Sequence, residues 1–135
     1  MRSSASIAAF ALLLSVSALG TATGREGPCT VTENEVSLVN CGAIPQASGK
    51  RRVRTQSDCD QDLRVEIQDV PRGDYTVRVD GVDRGTITVR GRREGQNEFD
   101  SSPKGRELLL DFDPFGDIDI LQGSVVILSL GQCLL

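Results

Sequence analysis

Residues 63–89 read LRVEIQDVPRGDYTVRVDGVDRGTITV, and their apolar side chains recur at every second position. A period of two places alternate side chains on opposite faces of a β-strand. Turn-forming residues divide the segment, with PRGD at residues 71–74 and the hairpin-forming pair Asp80-Gly81 farther on. The segment therefore predicts three consecutive antiparallel strands.

The same alternation continues towards the C-terminus, and no stretch beyond residue 24 shows a helical period. Residues 125–130 form a continuous apolar run, which is typical of a strand that is buried on both faces. We therefore expect an all-β fold, an antiparallel β-sandwich of about seven strands over residues 63–135. Residues 25–62 are expected to form an N-terminal disulfide-closed hairpin and a loop.

The alternation also predicts which side chains fill the core, because the intervening positions are mostly charged or Thr. The residues expected to face inward are Leu63, Val65, Ile67, Tyr75, Val77, Val79, Leu108, Leu110, Phe112, Val126 and Leu128.

The chain has four cysteines and no histidine. An even number of cysteines in a short exported chain indicates disulfides, whereas zinc fits poorly without His or a Cys-x-x-Cys pair. Of the three possible pairings, we favour Cys29–Cys41, which would close a hairpin, together with Cys59–Cys133. The polar residues 42–58 would then be a connecting loop, with one short edge strand near Val53.

The N-terminus has the layout of a secretory signal peptide. Arg2 precedes an apolar run at residues 7–14, and small residues then offer cleavage after Gly20 or after Gly24. We therefore expect residues 1–24 to be removed and the protein to be secreted or periplasmic, with no membrane span.

The charge of the chain limits its partners. The net charge is −4, and removal of residues 1–24, whose one charged residue is Arg2, makes it −5. Nucleic acid is disfavoured because phosphate binding needs a concentrated positive field. The expected partner is an unknown protein or a cell-surface ligand.

An acid-rich segment near residue 115 is the best metal candidate. Its possible calcium ligands are Asp111, Asp113, Asp117 and Asp119. The spacing departs from a twelve-residue calcium loop at two positions, because Phe115 and Gln122 stand where oxygen ligands are needed. We therefore predict no metal and no cofactor, and we interpret the segment as a strand-turn-strand with acidic outward positions.

The turn-Tyr pattern of residues 63–89 resembles a segment of bacterial prealbumin-like and carboxypeptidase regulatory-like β-sandwich modules. The resemblance implies a sandwich that serves as an accessory, stalk or binding unit and not as a catalyst. Some of these modules carry isopeptide crosslinks, but Lys50 and Lys104, the two lysines, lie outside the strand patterns.

Catalysis is disfavoured because the chain has no histidine to activate a nucleophile. The tripeptide Arg-Gly-Asp at residues 72–74 is also what a tight turn requires, so it is weak support for adhesion. The sequence thus predicts a secreted, non-catalytic binding or structural module. The alternative is a small secreted enzyme inhibitor or effector that presents the loop at residues 42–58.

Overall fold

The computed structural model describes residues 27–133. The predicted signal peptide, residues 1–24, lies outside the described residues, as do residues 134–135. No helix in the described part of the chain is long and apolar enough to cross a membrane.

The described chain folds into ten strands. They are β1 (Thr32–Ser37), β2 (Val39–Asn40), β3 (Ser48–Thr55), β4 (Gln61–Gln68), β5 (Gly73–Val79), β6 (Val82–Val89), β7 (Glu94–Asp100), β8 (Leu108–Leu109), β9 (Ile118–Gln122) and β10 (Val125–Ser129). The first sheet has the order β1-β3-β4-β7-β8, and the second has the order β2-β10-β9-β5-β6. All pairs are antiparallel except β7 with β8. The predicted all-β antiparallel sandwich is therefore confirmed. Seven of the ten strands, β4 to β10, lie in the part of the chain where about seven were expected, and β1, β2 and β3 precede them.

The core lies between the two sheets, and most of the predicted inward positions are buried. The confirmed residues are Leu63, Val65, Ile67, Tyr75, Val77, Val79, Leu110 and Leu128. Phe112 is partly buried and packs against this core. The inward prediction is thus correct wherever the period of two runs through one regular strand.

Two core predictions are wrong because a strand ends or bulges. Leu108 is 40% exposed, since β8 is a two-residue strand at the edge of the first sheet. Val126 is only half-buried, because Ile127 is an extra residue in β10 between the pairs Val126–Leu121 and Leu128–Ile120. The bulge turns both Ile127 and Leu128 into the core.

The predicted connecting loop at residues 42–58 is also wrong in its larger part. β3 occupies Ser48–Thr55 and pairs with β4 over all eight residues, so it is an interior strand of the first sheet. The outward residues of β3 are Lys50, Arg52 and Arg54. Because the inward Arg51 is charged as well, the sequence of β3 does not alternate between polar and apolar residues. Only Val53 gave an apolar signal at an inward position.

The disulfide pairing differs from the favoured one. The bonds are Cys29–Cys59 and Cys41–Cys133, and none of the four thiols is free. The N-terminal hairpin does not form because β1 pairs with β3 in the first sheet, whereas β2 pairs with β10 in the second. The chain crosses between sheets at Leu38, which separates Cys29 from Cys41.

Two turns, one on each side of β5, fix where the strand begins and ends. Asp80 and Gly81 have φ of 49° and 79°, as a type I′ hairpin turn requires. The buried Tyr75 hydroxyl donates a 2.6 Å hydrogen bond to the carbonyl of Pro71. The buried polar atom is thereby satisfied, and the start of β5 is tied to the preceding turn.

The sheets close on one another where β6 meets β7. A Cβ on Gly95 would lie 2.6 Å from Cγ2 of Ile87, and a Cβ on Gly85 would lie 2.7 Å from Oδ1 of Asn97. The Asn97 amide donates a 2.9 Å hydrogen bond to the carbonyl of Thr86. The two glycines permit this close approach, and Asn97 covers the outer edge of β6.

Candidate functional site

The four aspartates of the calcium candidate bind four different parts of the protein. Asp113 accepts a hydrogen bond from the backbone of Phe115 at 2.9 Å, and Asp119 accepts one from the Ser129 hydroxyl at 2.7 Å. Asp111 lies 3.9 Å from Arg84. Asp117 donates its backbone N–H to the Asp80 carboxylate at 2.9 Å.

Within residues 27–133, no three side chains of the types His, Cys, Asp or Glu are grouped so that they could hold a metal ion. The acid-rich segment instead crosses from the first sheet to the second, and arginines hold it. Arg84 stacks on Phe112 at 4.6 Å, and Arg51 stacks on Phe115 at 5.5 Å. These distances are within the range of cation–π attraction.

Both arginines are placed by the strands that carry them. Arg84 is the extra residue of a bulge in β6, which redirects its side chain. Arg51 faces inward from β3 and donates a 2.8 Å hydrogen bond to Asn34. Burial lowers the pKa of Arg51, and the nearby Asp113 carboxylate partly restores it. The crossover is therefore a packed structural feature.

The outer face of the first sheet is almost entirely charged, and we call it the charged face. Its ion pairs include Lys50 with Glu35 and Glu66 at 3.5 Å, and Glu33 with Arg52 and Arg54 at 3.8 Å. The face carries no aromatic side chain, so stacking on a sugar ring is not available there.

Charges on this face alternate across the strands with two exceptions. The row Glu33–Arg54–Asp62–Asp100 ends in two acids, and the row containing Arg52 and Arg64 sets two bases opposite each other. Burial raises the pKa of Asp62, which Arg54 and Arg52 counteract and Asp100 reinforces. The like-charged neighbours make this part of the face less stable than a fully alternating one.

The four strand edges of the sandwich differ in how well they are covered. β2 and β8 are two residues long, and the middle of β6 is covered by Asn97. All six residues of β1 are exposed. Among the described strands, β1 is therefore the long edge that is open to another polypeptide.

The hydrogen-bond direction along β1 follows from one contact. Leu38 donates its N–H to Gly49 at 2.8 Å, so these opposed residues form a hydrogen-bonded pair. Hydrogen-bonded and non-bonded pairs alternate in an antiparallel ladder. The residues at positions 32, 34 and 36 therefore bond to β3, whereas Glu33, Glu35 and Ser37 direct their backbone groups to the open edge.

A second exposed feature is the loop at residues 41–47. The Asn40 amide lies within hydrogen-bond distance of three of its carbonyls, those of Ile44, Pro45 and Ala47, at 2.8–3.1 Å. The Cys41–Cys133 disulfide fixes one end. The loop is thus rigidly held although most of its residues are exposed.

The Arg-Gly-Asp tripeptide spans the turn before β5 and the start of the strand. The Asp74 carboxylate accepts a 2.8 Å hydrogen bond from Thr88 on β6. Gly73 has a φ of 146°, which the turn requires of a glycine. The tripeptide has the local role that turn chemistry predicts for it.

Sequence reasoning missed β1 as a site because it assigned the segment TENEVS to a disulfide-closed hairpin. The signal that could have found it is the alternation of Glu33 and Glu35 with smaller residues, which is a polar form of the period of two. No family model matches the chain, and neither does any curated protein. The two intramolecular disulfides indicate an oxidising, extracytoplasmic environment.

Proposed function

We propose that this protein is a secreted or periplasmic, non-catalytic binding module that engages a partner protein by adding a strand of the partner to β1. The observation that carries the proposal is the open edge of β1, six exposed residues long. Of the other three edges, β2 and β8 are two residues long, and the middle of β6 bonds to the Asn97 amide. Strand addition gives affinity through main-chain hydrogen bonds and specificity through alternate side chains.

Further features support a module of this kind. The two disulfides suit an exported domain, and the N-terminal layout predicts a signal peptide that would deliver it. The resemblance of residues 63–89 to prealbumin-like modules remains a prediction, and it points to the same class of accessory unit.

The test uses a photocrosslinking amino acid in place of Ser37, at the end of the open edge. The protein is incubated with the native extracellular fraction and irradiated, and crosslinked peptides are identified by mass spectrometry. We expect a partner crosslink that Glu35→Pro abolishes, because proline removes the outward N–H. Glu35→Gln keeps that N–H and removes only the charge, so it should weaken the crosslink without abolishing it.

A matched control places the same crosslinker at Thr88 on β6, the edge strand of the second sheet. Crosslinks that persist in Glu35→Pro, or that form from position 88 and not from position 37, would contradict strand addition at β1. The melting temperature of each variant shows whether the sandwich is intact.

The second candidate function is that of an enzyme inhibitor, which the rigid loop at residues 41–47 favours. An inhibitor of this type would block a panel of secreted proteases at stoichiometric concentration. Asn40→Ala would weaken the inhibition, because the loop would lose its internal hydrogen bonds. Cleavage of the loop without inhibition would exclude this role.

A further inference from the structure

We infer that the strand received by β1 is an extended polypeptide segment with Lys or Arg at two positions that are two residues apart, opposite Glu33 and Glu35. This inference rests on the proposed function and adds the chemistry of the partner.

Glu33 and Glu35 present both a backbone edge and an exposed acid. Their side chains lie on the charged face and are 51% and 50% exposed. Their N–H and C=O groups point away from β3, as the Leu38–Gly49 pair requires. A strand that bonds to this edge must therefore place its own alternate side chains directly beside the two carboxylates.

The sign of those side chains follows from the neighbouring strand. Arg54 and Arg52 of β3 lie opposite Glu33 and Glu35. A basic residue on the incoming strand would place each glutamate between two cations, whereas an acidic residue would lie opposite a like charge. Opposite charges stabilise directly opposed cross-strand pairs, and like charges destabilise them.

The inward side of β1 sets a requirement for the residue between the two bases. Val36 is 37% exposed on this side, and the side-chain Oδ1 of Asn34 already accepts a hydrogen bond from Arg51. The intervening residue of the partner strand would lie towards this apolar surface. A small or β-branched residue such as Thr or Val therefore fits between the bases.

A second copy of this chain fits the edge poorly. Two β1 strands could pair through their outward backbone groups in two antiparallel registers of equal overlap. One register places Glu35 opposite Glu35, and the other places Glu33 opposite Glu35. Either register sets acids against each other without a basic residue between them. The partner is therefore a different polypeptide.

The experiment compares two capped peptides, Thr-Lys-Val-Lys-Thr-Lys and Thr-Glu-Val-Glu-Thr-Glu, at low ionic strength, where surface charges are least screened. We expect the basic peptide to bind the isotope-labelled protein roughly tenfold more tightly, or better. It should also slow hydrogen exchange at the amides of Glu33, Glu35 and Ser37. Protection of β6 instead of β1, or absence of binding by the basic peptide, would overturn the inference.

Charge reversal gives the matched test. The double variant Glu33→Lys/Glu35→Lys should prefer the acidic peptide, whereas Glu66→Lys, on the charged face but away from the edge, should still prefer the basic one. Circular dichroism melting shows whether each variant is folded. If the double lysine variant does not fold, Glu33→Gln/Glu35→Gln replaces it, and this variant should bind the two peptides equally.

The two proposals fail separately. If both peptides bind equally and protect the β1 amides, strand addition stands and the inferred chemistry of the partner is wrong. If the Ser37 crosslink to the native partner survives Glu35→Pro, the proposed function itself is wrong, whatever the peptides do.

Discussion

Single arginines fix the connection that links the two sheets. Arg84 and Arg51 each stack on a phenylalanine of the acid-rich segment, and each has an aspartate of that segment nearby. Alternating acid and aromatic residues therefore serve here to receive guanidinium groups, which combine a flat apolar face with a charge. The same aspartates looked like metal ligands in the sequence because sequence spacing does not show which cation each of them faces.

Asp62 offers a test of charge on the charged face. Burial is the main cause of its raised pKa, so the folded protein binds the Asp62 proton more tightly than the unfolded chain does. The associated stability is present below the ordinary pKa near 3.8 and is lost as pH rises through the folded-state pKa. Asp62→Asn should therefore raise the melting temperature at pH 7 and leave it nearly unchanged near pH 3. A variant that is less stable than wild type at pH 7 would contradict this.

Gly95 tests the close approach of β6 and β7. Gly95→Ala would place a methyl group 2.6 Å from the buried Ile87 side chain, so it should cost about 1–3 kcal/mol of unfolding free energy. Gly91→Ala is the matched control, since nothing lies within 4 Å of its Cβ, and it should change stability by about 0.5 kcal/mol or less. Urea unfolding of both variants measures the difference, and equal costs would refute the packing argument.

At the level of elements, the sequence predicts strands well where one face is consistently apolar. β4 and β5 alternate strictly, and every predicted inward residue in them is buried. β3 was predicted only as a short edge strand near Val53, because Arg51 occupies an inward position and only Val53 is apolar there. β1 was placed in the wrong pairing, because a polar strand carries no signal that distinguishes its neighbours. The candidate site, being the edge of that polar strand, could not be predicted from the hydrophobic pattern.

Leu108 and Leu110, which the sequence pattern places on one face, lie on either side of the point where β8 ends. Leu110 is 8% exposed, and Leu110→Ala should cost about 2–5 kcal/mol, a large share of the stability of a small domain. Leu108 is 40% exposed, and Leu108→Ala should cost about 1 kcal/mol or less. Equilibrium denaturation of the two variants, which remove the same atoms, tests the assignment. Equal losses would mean that β8 is buried as the sequence pattern alone predicted.

In the whole molecule, the disulfides join regions that are distant in sequence. Cys29–Cys59 spans 30 residues and ties the segment before β1 to the turn between β3 and β4, whereas Cys41–Cys133 spans 92 residues and ties the end of β2 to the segment after β10. The sequence established that the cysteines would pair, but the pairing depends on which sheet each strand joins. That information is not local, and hairpin economy gave the wrong answer.

Peptide mapping without reduction tests the pairing. Trypsin alone is insufficient, because the tryptic peptide of residues 26–50 contains both Cys29 and Cys41. Additional cleavage at Glu33 and Glu35 separates them. We expect one disulfide-linked peptide pair that joins Cys29 to Cys59 and another that joins Cys41 to Cys133.

The stabilities of the two bridges should differ as well. The bridges close loops of 92 and 30 residues, and removing each one gives the unfolded chain more entropy. Cys41→Ala/Cys133→Ala should therefore lower the free energy of unfolding by about 4.6 kcal/mol, and Cys29→Ala/Cys59→Ala by about 3.6 kcal/mol. Thermal unfolding of the two double variants ranks them, and the reverse order would show that local packing outweighs loop closure.

The pairing of β2 with β10 also sets the order in which a newly made chain can fold. β1, β3 and β4 are complete when residue 68 has been synthesised, but the second sheet needs β9 and β10, which end at residue 129. At typical translation rates the interval is roughly 3–12 s. During that interval the apolar face of the first three strands lacks the complete second sheet that covers it in the folded protein. The growing chain therefore exposes part of the surface that becomes its core until its last strand arrives.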